Sequence, residues 1–419
     1  MPFSIPQKGN GPYIITHGFG YSIFEHKEDG IHSEMSVFVD KDHPVKFIVL
    51  KVRNESERIR KLSAMGFLEM ILGDVRSKTN IHVFSEHDKN TGALLLRNRY
   101  NSAFAERVSY FKVEGGYNFS YTADRSEFIG RNRDLSNPQA LYRKKLSERT
   151  GAAMDPCAAL HVKFDLLSGG EKEIIFQIGN ERNAGAAAAL LQQFSNRDTI
   201  LQSLQNVKDY WQKIINTVQV ITPDTALNFL ANGWLTYQTI ACRMFARSGF
   251  YQSGGAFGFR DQLQDVLALL HTQPAMAREQ ILLSASRQFV EGDVQHWWHP
   301  PEGRGVRTRC SDDLLWLPFV VSRYISATGD ADILQVQIGF LESRTLYEGE
   351  DSLYDLPVSL NASGNLYVHC ARAIKYSHRF GEHGLPLIGA GDWNDGMDRV
   401  GNRGRGESGI NNSKEEIMW

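Results

Sequence analysis

Between residues 33 and 178 the chain alternates short β-branched and aromatic runs with polar, turn-forming segments. Ser33-Glu34-Met35-Ser36-Val37-Phe38-Val39 and Val45-Lys46-Phe47-Ile48-Val49-Leu50-Lys51-Val52 read as strands, with Asp40-Lys41-Asp42-His43-Pro44 between them as a turn. Further strand-like runs follow at Ile81-His82-Val83-Phe84, Ala93 to Leu96, Val108 to Val113 and Glu173 to Ile178. Many short strands separated by turn signals predict an antiparallel β-sandwich over residues 1–182. Two more polar stretches, His17 to Ser22 with Phe24-Glu25-His26, and Asp124 to Arg131, read as ordinary loop and edge residues.

Beyond residue 183 the period changes. Ala184 to Leu191 is alanine-rich, and Ile200, Leu201, Leu204, Val207, Trp211 and Ile214 recur near helical spacing, which predicts a helical linker over 183–221. Thr222-Pro223-Asp224 supplies an N-cap, a proline for the first helical position and an acid for the first turn. Behind it Leu227, Leu230, Trp234, Tyr237, Ala241 and Met244 trace an amphipathic helix to about Arg247. Later helices are expected at Asp261 to Leu270, at Pro274 to Phe289, after a Ser311-Asp312-Asp313 cap as far as Gly329, and at Asn365 to Phe380.

Composition narrows the classes. With 419 residues, 42% of them hydrophobic, the chain can bury a large core and fill two or three domains. A net charge of −2, from 46 basic and 48 acidic residues, gives no sign of a nucleic-acid or membrane-surface partner. The four cysteines form no CxxC pair, so neither a disulfide framework nor a zinc site is indicated. No window approaches a membrane span.

The chemistry is concentrated in loops between the expected helices. Gly389-Ala390-Gly391-Asp392-Trp393-Asn394-Asp395-Gly396-Met397-Asp398 sets carboxylates, an indole and an amide between glycines. An aromatic face there can stack on a pyranose while carboxylates and amides take its hydroxyls, although an Asx-rich surface turn has the same composition. Arg260, Asp261 and Asp265 follow a glycine-rich approach, and Asp261 and Asp265 share one helical face, either as a hydroxyl clamp or as a cap and a surface acid. His296-Trp297-Trp298-His299 reads as a stacking platform rather than a metal site, because no third ligand has suitable spacing. Arg307, Asp312 and Asp313 lie in the polar run that follows; its arginines are either solvated charge or partners for an anion.

Four motifs in order resemble the family 94 glycoside phosphorylases: Gly258-Phe259-Arg260-Asp261 with Gln264-Asp265, Gln295 to His299, Arg307 to Asp313, and Gly391 to Met397. Within that family, His17 to Tyr21 and Asp155 to Leu160 are most similar to the phosphorylase-type region of cyclic β-1,2-glucan synthases. The resemblance implies a galactose-mutarotase-like β-sandwich, a helical linker and, over 222–419, the first part of an (α/α)6 barrel. It implies inverting phosphorolysis, with Asp395 as general acid, inorganic phosphate as co-substrate in place of a cofactor, and no metal. It further implies that Arg260, Asp261 and Asp265 hold the donor glucose, that Trp298, Arg307, Asp312 and Asp313 form the pocket wall, and that Asp392, Trp393 and Asn394 contact substrate.

The partner implied is a β-glucan oligosaccharide or polysaccharide. The location implied is the bacterial cytoplasm, as part of an inner-membrane protein in the synthase case. Ser413-Lys414-Glu415-Glu416 has the pattern of a helix start, so the natural polypeptide is expected to continue past Trp419, and the sandwich is expected to be incomplete at its N-terminus. The family's phosphate-binding positions are expected further on, so the isolated chain is expected to be inactive or nearly so. An inverting hydrolase on the same barrel and a non-catalytic carbohydrate-binding fragment remain the competing readings.

Overall fold

The computed structural model describes residues 9, 11–115, 117–245, 255–350 and 352–387, and the chain divides into two compact units, with the boundary between Lys213 and Ile214. Among the described residues the first unit holds eleven strands: β1 (Tyr13–Gly18), β2 (Tyr21–Glu28), β3 (Ile31–Val39), β4 (Val45–Asn54), β5 (Arg60–Glu69), β6 (Val83–His87), β7 (Leu94–Asn98), β8 (Val108–Glu114), β9 (Phe119–Asp124), β10 (Pro156–Leu166) and β11 (Glu171–Glu181). Eight form a sheet in the order β1-β2-β3-β4-β11-β8-β7-β6, and three form a second sheet in the order β5-β10-β9, with antiparallel pairing between neighbours.

Period-two alternation on β10 shows how one strand serves two cores. Ala158, Leu160, Val162, Phe164 and Leu166 join Phe111, Ile174 and Phe176 in the core shared with the large sheet. Cys157 and Ala159, on the opposite face, pack against Phe128, Ile129, Ala140 and Leu146. The antiparallel sandwich expected from the runs of apolar residues is therefore present. The helices Ala184–Gln193 and Arg197–Ile215 follow it.

Two expectations for this unit need correction. His17 to His26 lies in a regular hairpin, β1–β2, with β1 at the sheet edge as expected but little of it loop; its residues are mostly half-exposed, so no apolar alternation marks it in the sequence. Ile81 is 71% exposed in a 3₁₀ turn, Asn80–His82, and the strand begins only at Val83.

The second unit is helical with two small sheets. Residues 225–245 form one helix with π-helical stretches at Leu230–Trp234 and Thr239–Phe245. Its cap is Asp224, whose carboxylate accepts from the amides of Ala226 and Leu227; Thr222 instead bonds Asn228 and the Asp224 carbonyl. The predicted cap thus lies two residues too early. The apolar stripe is present, yet Leu227, Leu230 and Trp234 are exposed among the described residues.

Four more helices, Phe259–Leu267, Pro274–Ala285, Asp313–Thr328 and Leu366–Ser377, surround a core of Phe259, Leu263, Val266, Ile281, Leu317 and Val320. Gly329 ends the third of these with φ +74°, the left-handed conformation that glycine adopts without steric cost. Between the helices lie β12 (Phe257–Gly258), β13 (Gln295–His299), β14 (Arg304–Thr308), β15 (Gln337–Glu342), β16 (Ser352–Asp355) and β17 (Val358–Asn365). These pair as β12-β13-β14-β16 and β15-β17. Gly305 is required at the β13–β14 crossing, because a Cβ there would lie 2.1 Å from the Trp297 carbonyl oxygen.

Candidate active site

The site begins with the helix Phe259–Leu267, which turns Phe259, Leu263 and Val266 into the core and leaves Arg260 and Asp261 in its first turn. Arg260 Nη1 donates to Asp312 Oδ2 at 3.2 Å. Burial alone would lower the Arg260 pKa, but the adjoining Asp312, with Asp313 and Asp261, outweighs it and holds the guanidinium above its usual value. Asp312 occupies the N-cap of the helix Asp313–Thr328, yet its side chain makes no capping bond, contrary to the sequence expectation. Its Oδ1 is buried and has no hydrogen-bond partner. A buried acceptor left unmatched costs about 1–3 kcal/mol.

A β-bulge positions the next group. Gln295 opposes Arg307 and Trp297 opposes Val306, so His296 is the extra residue on β13. The bulge turns its ring toward the start of the following helix, where Nδ1 lies 2.5 Å from Asp313 Oδ2. Asp313 is only 1% exposed. Cys310 completes a trio, and one donor atom from each of His296, Cys310 and Asp313 lies within 4.8 Å of the other two. These are ligand types for a cation. Sequence reading found no third ligand because the donors are spread over a strand, a loop and a helix start, and no short spacing records a bulge.

Other expected residues fall elsewhere. Trp298 is 1% exposed, packs beside Phe257 and lies under the Arg287 guanidinium, so it is core and not a stacking platform. Strand alternation leaves its neighbour Trp297 half-buried beside His299 and Tyr354. Arg307 is 3% exposed and fully engaged. Its Nε and Nη2 donate to Asp293 at 2.7 Å each, Nη2 also to Glu291, and Nη1 to the carbonyls of Ser343 and Arg344, which leaves no N–H for a substrate. Asp265 accepts from Arg243 Nε at 3.0 Å, which ties it to the helix of residues 225–245. A cavity of about 50 Å³ is lined by Asp293, Arg309, Cys310, Ser311, Tyr376 and Arg379. Asp392, Trp393, Asn394 and Asp395 lie outside the described residues.

Comparison with known proteins matches both units to one family. Residues 2–197 match the glycosyl hydrolase 94 supersandwich domain, and residues 210–413 match the catalytic domain of the glycosyl hydrolase 94 superfamily. The chain is 43% identical over 407 residues to cyclic β-(1,2)-glucan synthase NdvB of Rhizobium meliloti, which covers 97% of this chain and 14% of the synthase. It is 26% identical to an N,N'-diacetylchitobiose phosphorylase of Vibrio proteolyticus (95% of this chain, 51% of that protein) and 27% identical to a solabiose phosphorylase of Paenibacillus borealis (94% and 48%). The chain thus spans about half the length of these phosphorylases. A bacterial glucoamylase structure in complex with acarbose aligns with a TM-score of 0.50 at 13% identity, over 74% of this chain and 47% of that one, a likeness of fold. Among the described residues no helix is long and apolar enough to cross a membrane.

Proposed function

The chain belongs to the glycosyl hydrolase 94 family, and on that premise we propose that it is part of an enzyme that cleaves β-glucan by inverting phosphorolysis, passing a hexosyl group to inorganic phosphate. In this reading Asp395 protonates the glycosidic oxygen while phosphate attacks the anomeric carbon from the opposite face. Phosphate takes the place of the water and base of an inverting hydrolase, so a single essential carboxylate suffices. Asp392, Trp393 and Asn394 contact the sugar beside it. Arg260, Asp312, Asp313 and Asp261 grip the donor glucose, and Asp265, one helical turn on from Asp261, is paired with Arg243. That the chitobiose and solabiose relatives are phosphorylases supports the reaction, and the similarity to a cyclic β-(1,2)-glucan synthase supports a β-1,2-glucan substrate.

One observation supports the reading for this chain: the buried Asp312 Oδ1, unpartnered beside the half-buried Arg260, is an acceptor of the kind a sugar hydroxyl satisfies. The test is to incubate polypeptides containing these residues with β-1,2-linked gluco-oligosaccharides, with and without inorganic phosphate. Glucose 1-phosphate formed only with phosphate, and lost in Asp395→Asn, is the expected outcome. Free glucose formed at the same rate without phosphate would replace the reading with an inverting hydrolase. Binding without turnover in every polypeptide would leave only carbohydrate binding.

A further inference from the structure

We propose that His296, Cys310 and Asp313 form a binding site for a thiophilic divalent cation of the zinc type, a role beyond the phosphorolysis reading above, with which it shares Asp313. Three donor types meet here: an imidazole nitrogen, a thiol sulfur and a carboxylate oxygen, all within 4.8 Å of one another. Their scaffold is fixed. His296 sits on a bulge in a paired strand, Asp313 is in the first turn of a sixteen-residue helix, and Cys310 is held by its amide on Thr308 Oγ1. Asp313 and Cys310 are buried and the His296 side chain is 15% exposed, so a bound ion would be partly screened from water.

Donor chemistry selects the ion. Thiolate and imidazole favour zinc, cobalt or copper over magnesium or calcium, which take oxygen ligands. Charge balances as well: the cation binds the Asp313 carboxylate and the Cys310 sulfur, the thiol gives up its proton to solvent, and the centre is neutral. Arg260 is the nearby opposing charge; its hydrogen bond goes to Asp312, while Asp313 contacts His296.

Geometry requires one adjustment. Around a tetrahedral zinc with bonds near 2.0–2.3 Å, donors stand roughly 3.4 Å apart, so the 2.5 Å His296–Asp313 contact must open by about 1 Å as the ion enters. With three protein ligands the fourth position belongs to water, the arrangement of an open rather than a closed zinc site. Since Asp313 also belongs to the proposed sugar grip, cation and donor sugar would compete.

Cobalt(II) titration of the whole chain under reducing conditions tests the site. A thiolate-to-cobalt charge-transfer band is expected at one equivalent, to be displaced by zinc(II) and to strengthen as pH rises and the thiol ionises. Cys242 is the exposed cysteine, so Cys242→Ser should keep the band, whereas Cys310→Ser should lose it and His296→Gln should weaken cobalt affinity by about 100-fold or more. Absence of the band, its survival in Cys310→Ser, or its loss in Cys242→Ser would each overturn the site. If Cys310→Ser does not fold by circular dichroism, His296→Gln decides, and unchanged cobalt affinity there overturns it.

Discussion

Two arginine–aspartate pairs in the second unit look alike in sequence and differ in what they leave open. Arg307 and Asp293 form a closed pair: the guanidinium lies 4.0 Å over the Phe289 ring, and its five N–H groups are spent on Asp293, Glu291 and two carbonyls. Arg260 and Asp312 form an open one, with a single 3.2 Å bond and a buried oxygen that meets nothing. A closed polar network holds a fold together, whereas a buried acceptor left unmatched calls for an explanation. Burial holds the Asp293 pKa above its ordinary value, although the bidentate hydrogen bonds and charge of Arg307 pull it down.

The largest effect should come from breaking the closed pair. Arg307→Met leaves the Asp293 carboxylate buried without its partner and should destabilise the second unit by about 3–5 kcal/mol, read as a lower denaturant midpoint. A shift under about 1 kcal/mol would mean that the pair is not closed in solution. The tryptophan pair gives the next contrast. Trp298→Ala should cost about 3–5 kcal/mol through the cavity it leaves, and Trp297→Ala about 1–2 kcal/mol. Equal losses would refute the strand alternation that buries only one of them.

A third carboxylate, in the first unit, sharpens the contrast at smaller scale. Asp40 accepts from Ser203 Oγ, from the amides of Asp42 and His43, and from His43 Nδ1, so it too is closed. Burial would raise its pKa, but the bonds from Ser203, Asp42 and His43 prevail and hold it below the ordinary carboxylate value. A depressed folded pKa means stability that is present above the ordinary value and lost as pH falls through the depressed one. Asp40→Asn should therefore cost about 1 kcal/mol at neutral pH and flatten the first unit's acid sensitivity below the ordinary carboxylate range. An unchanged acid profile would remove Asp40 from the account.

How much of this was legible in the sequence follows from range. The sandwich was legible because β3, β4, β8 and β11 carry alternating or β-branched runs, whereas the half-exposed β1–β2 hairpin carried no such signal. Helix ends were readable to within a few residues where Gly329 or Asn365 marks them, the latter accepting from the Val368 amide. At the site, residue types were legible and their roles were not. Nothing local distinguishes Arg307 from Arg260, or Trp298 from Trp297; the difference lies in partners supplied from distant segments such as Ser343 and Phe257. The His296 bulge is likewise a property of pairing with β14, invisible along one strand.

The central claim is that the Arg260–Asp312 pair is open because a sugar completes it. Calorimetric titration of a β-linked gluco-oligosaccharide into wild type and Asp312→Asn, alongside each protein's denaturant midpoint, tests it most directly. The account predicts a loss of affinity of about 10-fold or more, the worth of a charged hydrogen bond, with the midpoint nearly unmoved. Unchanged affinity, or a midpoint that falls as it does for Arg307→Met, would contradict it.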